Sequence, residues 1–149
     1  MEWVFFQYNI PNKPTKLRVY VWRKLKALRA EALAEGVYAL PLTEKTREQF
    51  EWLCAEVKEM GGMAVLWKAK CFSEKQEQEL IERFKNKAGK DYERIQELLS
   101  NKPESDQDTW LASIIKEYAH IRYHDYFDTQ KEYTIHTQIE RHYQKIKRR

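Results

Sequence analysis

Five side chains carry the spacing most suited to a polyanion: Arg18, Trp22, Arg23, Lys26 and Arg29. Arg18, Trp22, Lys26 and Arg29 recur at intervals of four, four and three, which puts them on one face of a helix. Lys16 and Arg23 fall on the other flank. From Lys13 to Arg29 there are seven basic residues and no acidic one. Cations in such a row meet phosphates and release counterions, and a tryptophan among them stacks on a base or lies against a sugar. The plainer reading is the solvated face of a surface helix, since Lys and Arg are good helix formers. The missing acids favour the polyanion, because a solvated face usually mixes signs. "RHYQKIKRR" gathers a second basic cluster, Arg141, Lys145, Lys147, Arg148 and Arg149, which would also suit a dipole-complementing helix end.

Glu117, His120, His124 and Asp128 follow at three, four and four, spacings that metal ligands use on a helix. That face lies opposite Leu111, Ile114, Ile115, Tyr118 and Ile121. A single helix rarely completes a coordination shell, so an exposed ladder of ion pairs is the plainer reading and no metal is expected. Cys54 falls on a core stripe and reads as inert packing, whereas Cys71 is expected at the end of a strand. No Ser-His-Asp order, P-loop or Gly-x-Gly-x-x-Gly is present, and four glycines leave little for phosphate-cradling loops. No cofactor and no enzymatic activity are expected.

The elements that would position these residues follow from periodicity. "EWVFFQYNI" reads as a buried strand ending at Pro11. A helix runs from Thr15, which can cap it, to Ala30, with Leu17, Val21, Leu25 and Leu28 as its core stripe. Gly36 divides two short strands. "TEKTREQFEWLCAEVKEM" is a helix buried through Phe50, Leu53, Cys54, Val57 and Met60 and stopped by Gly61 and Gly62. "MAVLWKAKCF" is a fourth strand. The order β-α-β-β-α-β predicts an α+β, ferredoxin-like sheet domain over residues 1–72. Residues 73–149 predict a helical extension packing on that domain or on a second subunit. In it, Gly89 is a weak point in the first helix, "KPESDQD" is a linker, and two further helices end the chain. The 149 residues carry 42% hydrophobic, 13% aromatic and 34% charged side chains, enough for a core, with a mild net charge of +4. No apolar segment is long enough to span a bilayer, and the N-terminus lacks a basic n-region. Two cysteines outside a secretory context predict a cytoplasmic protein without disulfides.

Pro11, Pro14, Leu17 to Trp22, Arg23, Leu25, Gly36 to Pro41, Gln49 to Leu53 and Gly61–Gly62 together resemble the N-terminal domain of the chromate-resistance regulators called ChrB. "HIRYHDYF" looks like the helix that closes that domain. The resemblance implies a bacterial cytoplasmic protein whose relatives regulate chromate-efflux genes. DNA would be its partner, through Arg18, Arg23, Lys26 and Arg29. In that family chromate is sensed by a separate C-terminal domain, for which these residues have no room, so chromate sensing is not carried over. The sheet region also resembles the phenylacetate repressor PaaX and a small CRISPR adaptation protein. In the latter an Asp ends the first strand and can hold a metal for nuclease chemistry. Here that place reads Gln7-Tyr8-Asn9, and neutral amides lack the anionic oxygens that hold Mg²⁺.

The expected function is therefore a non-enzymatic, nucleic-acid-binding regulatory protein. The runner-up is a dimerisation module, because Tyr118, Tyr123, Tyr126, Phe127, Tyr133 and Tyr143 exceed what one small sheet needs. A metal-dependent nuclease ranks third. A homodimer is expected, and no membrane partner. Trp22 is expected to be buried against the C-terminal helices, leaving contact with a polyanion to the basic side chains.

Overall fold

The computed structural model describes residues 1–148. The chain is mixed α/β, with a four-stranded antiparallel sheet and five α-helices. It divides into two compact units, Met1–Leu80 and Ile81–Arg149.

The first unit runs β1 (Trp3–Asn9), α1 (Thr15–Ala27), β2 (Glu31–Ala34), β3 (Val37–Pro41), α2 (Glu44–Glu59) and β4 (Met63–Ala69), and ends in the first turns of α3 (Glu74–Ser100). The sheet order is β2-β3-β1-β4. Each helical crossover thus joins two strands that have a third, antiparallel strand between them. Alternation along β1 decides what each face does. Phe6 is fully buried and stacks on Phe50 of α2, with ring centroids 5.4 Å apart. Val4 and Ile10 share its face and are buried with it. The opposite face carries Phe5, Gln7 and Asn9, paired with Trp67, Val65 and Met63 of β4. Trp3 is also buried, and its indole N–H donates to Glu77 at 2.9 Å.

The helices bury the expected stripes with trimmed ends. Val21 and Leu25 are the buried residues of α1, while Leu17 and Leu28 are half-buried. Phe50, Leu53, Cys54 and Val57 are buried in α2, and Met60 is its half-buried C-cap. Thr43 caps α2 in a capping box with Thr46, whose hydroxyl also donates to the Pro41 carbonyl at 2.6 Å. Thr15 does not cap α1: Pro14 holds the N-cap position and Thr15 is the first helical residue. α1 also stops three residues earlier than its periodicity suggests. Arg29 takes a left-handed conformation with φ 62°, its N–H bonds to Lys26 O and that of Ala30 to Leu25 O. These two bonds form a Schellman motif, which closes the helix. β4 ends at Ala69, so Cys71 lies beyond the strand and is exposed.

The second unit packs the rest of α3 with α4 (Gln107–Tyr123) and α5 (Ile135–Lys147). Tyr92, Ile95 and Leu99 of α3, Leu111, Ile114, Tyr118 and Ile121 of α4, and Ile135 and Ile139 of α5 form one core at helical spacing. A 3₁₀ turn over Thr129–Glu132 precedes α5. The Asp125 carboxylate accepts from the Thr129 N–H at 3.0 Å, the Gln130 N–H at 2.9 Å and the Tyr92 hydroxyl at 2.6 Å. A carboxylate gathering free N–H groups in this way starts a new element. Of the six rings expected to face a partner, Tyr118 and Tyr133 join this core, and Tyr126 and Phe127 are half-buried beside Phe84. Tyr118 and Tyr133 lie 6.1 and 5.3 Å from Tyr92, and Tyr126 and Phe127 lie 6.0 and 5.6 Å from Phe84. Tyr123 and Tyr143 are exposed.

Candidate nucleic-acid interface

Because α1 turns Val21 and Leu25 inward, the face opposite them is exposed. Arg18, Trp22, Arg23 and Lys26 are all exposed. Trp22 is 50% exposed. It lies about 100° round the helix from Val21, outside the buried Val21–Leu25 stripe. The Lys26 ammonium sits over its ring, 4.9 Å from the centroid. On the other flank the Tyr20 hydroxyl donates to Glu56 of α2, and that hydrogen bond raises the Tyr20 pKa. The Tyr20 flank is therefore tied to α2, and the Arg18–Trp22–Lys26 flank is turned away from it.

Among the described residues no carboxylate is ion-paired with Arg18, Arg23 or Lys26. Arg29 does not extend the row, because the Schellman turn takes it off the helix. At the other end of the row, Arg18 reaches the end of the sheet, where it lines a cavity with Tyr8, Glu35 and Trp67. Burial and then neighbouring Tyr38 push the Tyr8 phenol up, Arg18 pulls it down, and Glu35 adds to the rise.

The other candidate constellations disperse. Glu117 pairs with Arg94, and Asp128 pairs with Lys131 at 2.9 Å. Lys131 and Gln130 hold the Asp128 carboxyl below its usual range. His120 and His124 rings lie tilted against each other, with centroids 4.7 Å apart, and His124 Nδ1 lies 3.0 Å from the His120 carbonyl oxygen. Among the described residues no three His, Cys, Asp or Glu side chains are placed to hold a metal ion. Cys54 is buried, and burial pushes its thiol up, away from the reactive thiolate. In the C-terminal basic cluster, Lys145 and Lys147 occupy the last turn of α5, and Arg149 lies outside the described residues.

Trp52 and Trp67, 67% and 54% exposed, were not legible as surface rings. Met63 to Trp67 is an unbroken apolar run, which marks a strand but does not say which face stays open.

The family model described as "Protein ChrB, N-terminal" matches residues 18–149. The chain belongs to the ChrB N-terminal family. No curated protein and no solved structure matches it. The ChrB N-terminal match begins at Arg18, so it takes in the whole exposed row, and it spans both compact units. Among the described residues of this ChrB N-terminal domain no helix is long and apolar enough to cross a membrane.

Proposed function

We propose that this ChrB N-terminal domain is a non-enzymatic, cytoplasmic regulatory module that binds nucleic acid through α1. The reading rests on one observation above the rest. Arg18, Arg23 and Lys26 are exposed on a helix that carries no acid, and none of them is neutralised by a carboxylate among the described residues. Solvated faces usually mix charges, whereas a face that meets phosphates gathers cations of one sign. Trp22, held under Lys26, supplies a ring for a sugar or base. DNA is the partner favoured, with transcription regulation as the role, on the strength of family membership. Two βαβ crossovers with an interposed strand support a ferredoxin-like reading of the sheet.

The test is a salt titration of binding to duplex and single-stranded DNA. Charge reversal at Arg18 and Lys26 together should flatten the slope of log K against log salt by about one unit for each phosphate that is no longer neutralised. No binding by the parent at low salt, or an unchanged slope in the double variant, would falsify the proposal.

A further inference from the structure

At the end of the sheet where β1 finishes lies a cavity of about 590 Å³, within the range that holds small ligands. Its walls come from Gln7, Asn9, Val65 and Trp67 of the sheet, Glu35 of the β2–β3 turn, and Arg18 of α1. The register sets Gln7 beside Val65 and Phe5 beside Trp67, on the sheet face opposite Phe6. That face is open at this end: Val65 is 39% and Trp67 54% exposed.

Trp67 is not a loose surface ring. Its indole N–H donates to the Gln7 side-chain oxygen at 2.8 Å. The ring's one polar atom is thereby satisfied and the ring is held, so stacking on it loses little further freedom. The Gln7 amide keeps its N–H donors, and Asn9 lines the same cavity with a second neutral amide. A flat apolar surface beside neutral donors and acceptors matches a nucleobase, whose face is apolar and whose edge is polar. The cation in the same cavity, Arg18, is the first member of the proposed phosphate row. The one acid, Glu35, places the favourable position for a phosphate on the Arg18 side.

From this juxtaposition we infer that the cavity takes an unstacked base of single-stranded nucleic acid: the base stacks on Trp67, the Gln7 and Asn9 amides meet its edge, and Arg18 holds the adjoining phosphate. The inference rests on the nucleic-acid reading of α1 and adds to it a preference for an unpaired strand.

The test is fluorescence anisotropy with a short labelled oligonucleotide, as DNA and as RNA, single-stranded and annealed to its complement. The parent should bind the single strand more tightly than the duplex. Trp67→Ala should weaken single-strand binding by roughly 5- to 150-fold, the range that one stacked base commands, and narrow the preference over duplex. Trp67→Phe, which keeps a ring, should retain most of the affinity, and Glu35→Gln should tighten binding by removing a charge that repels phosphate. Circular dichroism confirms that each variant is folded. If Trp67→Ala binds single strands like the parent while the Arg18/Lys26 reversal still abolishes binding, the cavity role is wrong and the α1 role stands. If Trp67→Ala instead dissolves an oligomer and leaves nucleic-acid affinity alone, the cavity is a contact between copies and the inference is overturned. If the parent binds no nucleic acid, both fall.

Discussion

The Tyr133 hydroxyl closes over Gly89: a Cβ added to that glycine would lie 2.9 Å from it. Gly89 sits within α3, which runs unbroken from Glu74 to Ser100. A glycine there weakens a helix by about 1 kcal/mol relative to alanine. Its retention is explained by space, because the Tyr133 ring is packed 5.3 Å from the fully buried Tyr92. Gly89→Ala should therefore destabilise the fold by about 1 kcal/mol, despite the gain in helix propensity, by displacing that ring. In a Tyr133→Phe background the nearest remaining atom is Cζ at 4.0 Å, an ordinary contact. There the same change should stabilise by up to about 1 kcal/mol. Urea unfolding of the four proteins measures the difference. Equal effects in the two backgrounds would show that Tyr133 is not the obstacle.

Two other glycines have positive φ and differ in what surrounds them. Gly61, just past α2 at φ +84°, has open space where a Cβ would go. Gly36, in the β2–β3 turn at φ +73°, would set a Cβ 2.7 Å from the Tyr8 carbonyl oxygen. The Gly36 carbonyl also accepts from the Tyr8 N–H at 2.9 Å, so the two backbones cannot easily part. Asparagine visits the left-handed region with little strain. Gly61→Asn should cost less than about 1 kcal/mol, and Gly36→Asn more than about 2 kcal/mol. Matching shifts in melting temperature would contradict the assigned clash.

The element order was readable because aromatic and β-branched apolar runs mark the strands, and apolar residues at helical spacing mark the helices, through the first 72 residues. What failed was local. The four-four-three row on α1 gives no warning that Arg29 takes a left-handed turn, since arginine rarely holds that conformation. Gly89 reads as a weak point because its covering tyrosine is 44 residues away in sequence (133 − 89). A separate 3₁₀ turn at Thr129–Glu132 precedes the last helix because Asp125 gathers two N–H groups and a distant hydroxyl, which depends on tertiary placement. Within the candidate site, the cations and Trp22 were visible in the sequence. Trp67 and its bond to Gln7 were not, because strand pairing alone brings them together.

Trp22→Ala separates a core ring from a contact ring. At 50% exposure the ring's main partner is the Lys26 ammonium. Removing that cation–π pairing should cost less than about 1 kcal/mol of folding stability. A core tryptophan would cost roughly 3–5 kcal/mol. Nucleic-acid affinity should fall by roughly 1–3 kcal/mol if a base stacks there. A melting temperature well below the parent's would return Trp22 to a structural role.

His142 should make the helical unit sensitive to mild acid. Its ring stands edge-on to Trp110, with centroids 5.2 Å apart. Burial holds its pKa below the ordinary 6.5, and Lys102 and Lys145 push the same way, against a hydrogen bond with the Leu99 backbone. The folded group therefore releases its proton more readily than the unfolded one. Near the ordinary value the unfolded chain binds more protons, so stability rises with pH through this window. The contribution is fully present above pH 6.5 and is lost as pH falls towards the depressed folded value. The urea midpoint should drop as pH falls below 6.5. His142→Phe, which keeps an aromatic ring beside Trp110 and removes the proton site, should flatten that drop. A variant that retains the parent's full pH dependence would place the titrating group elsewhere.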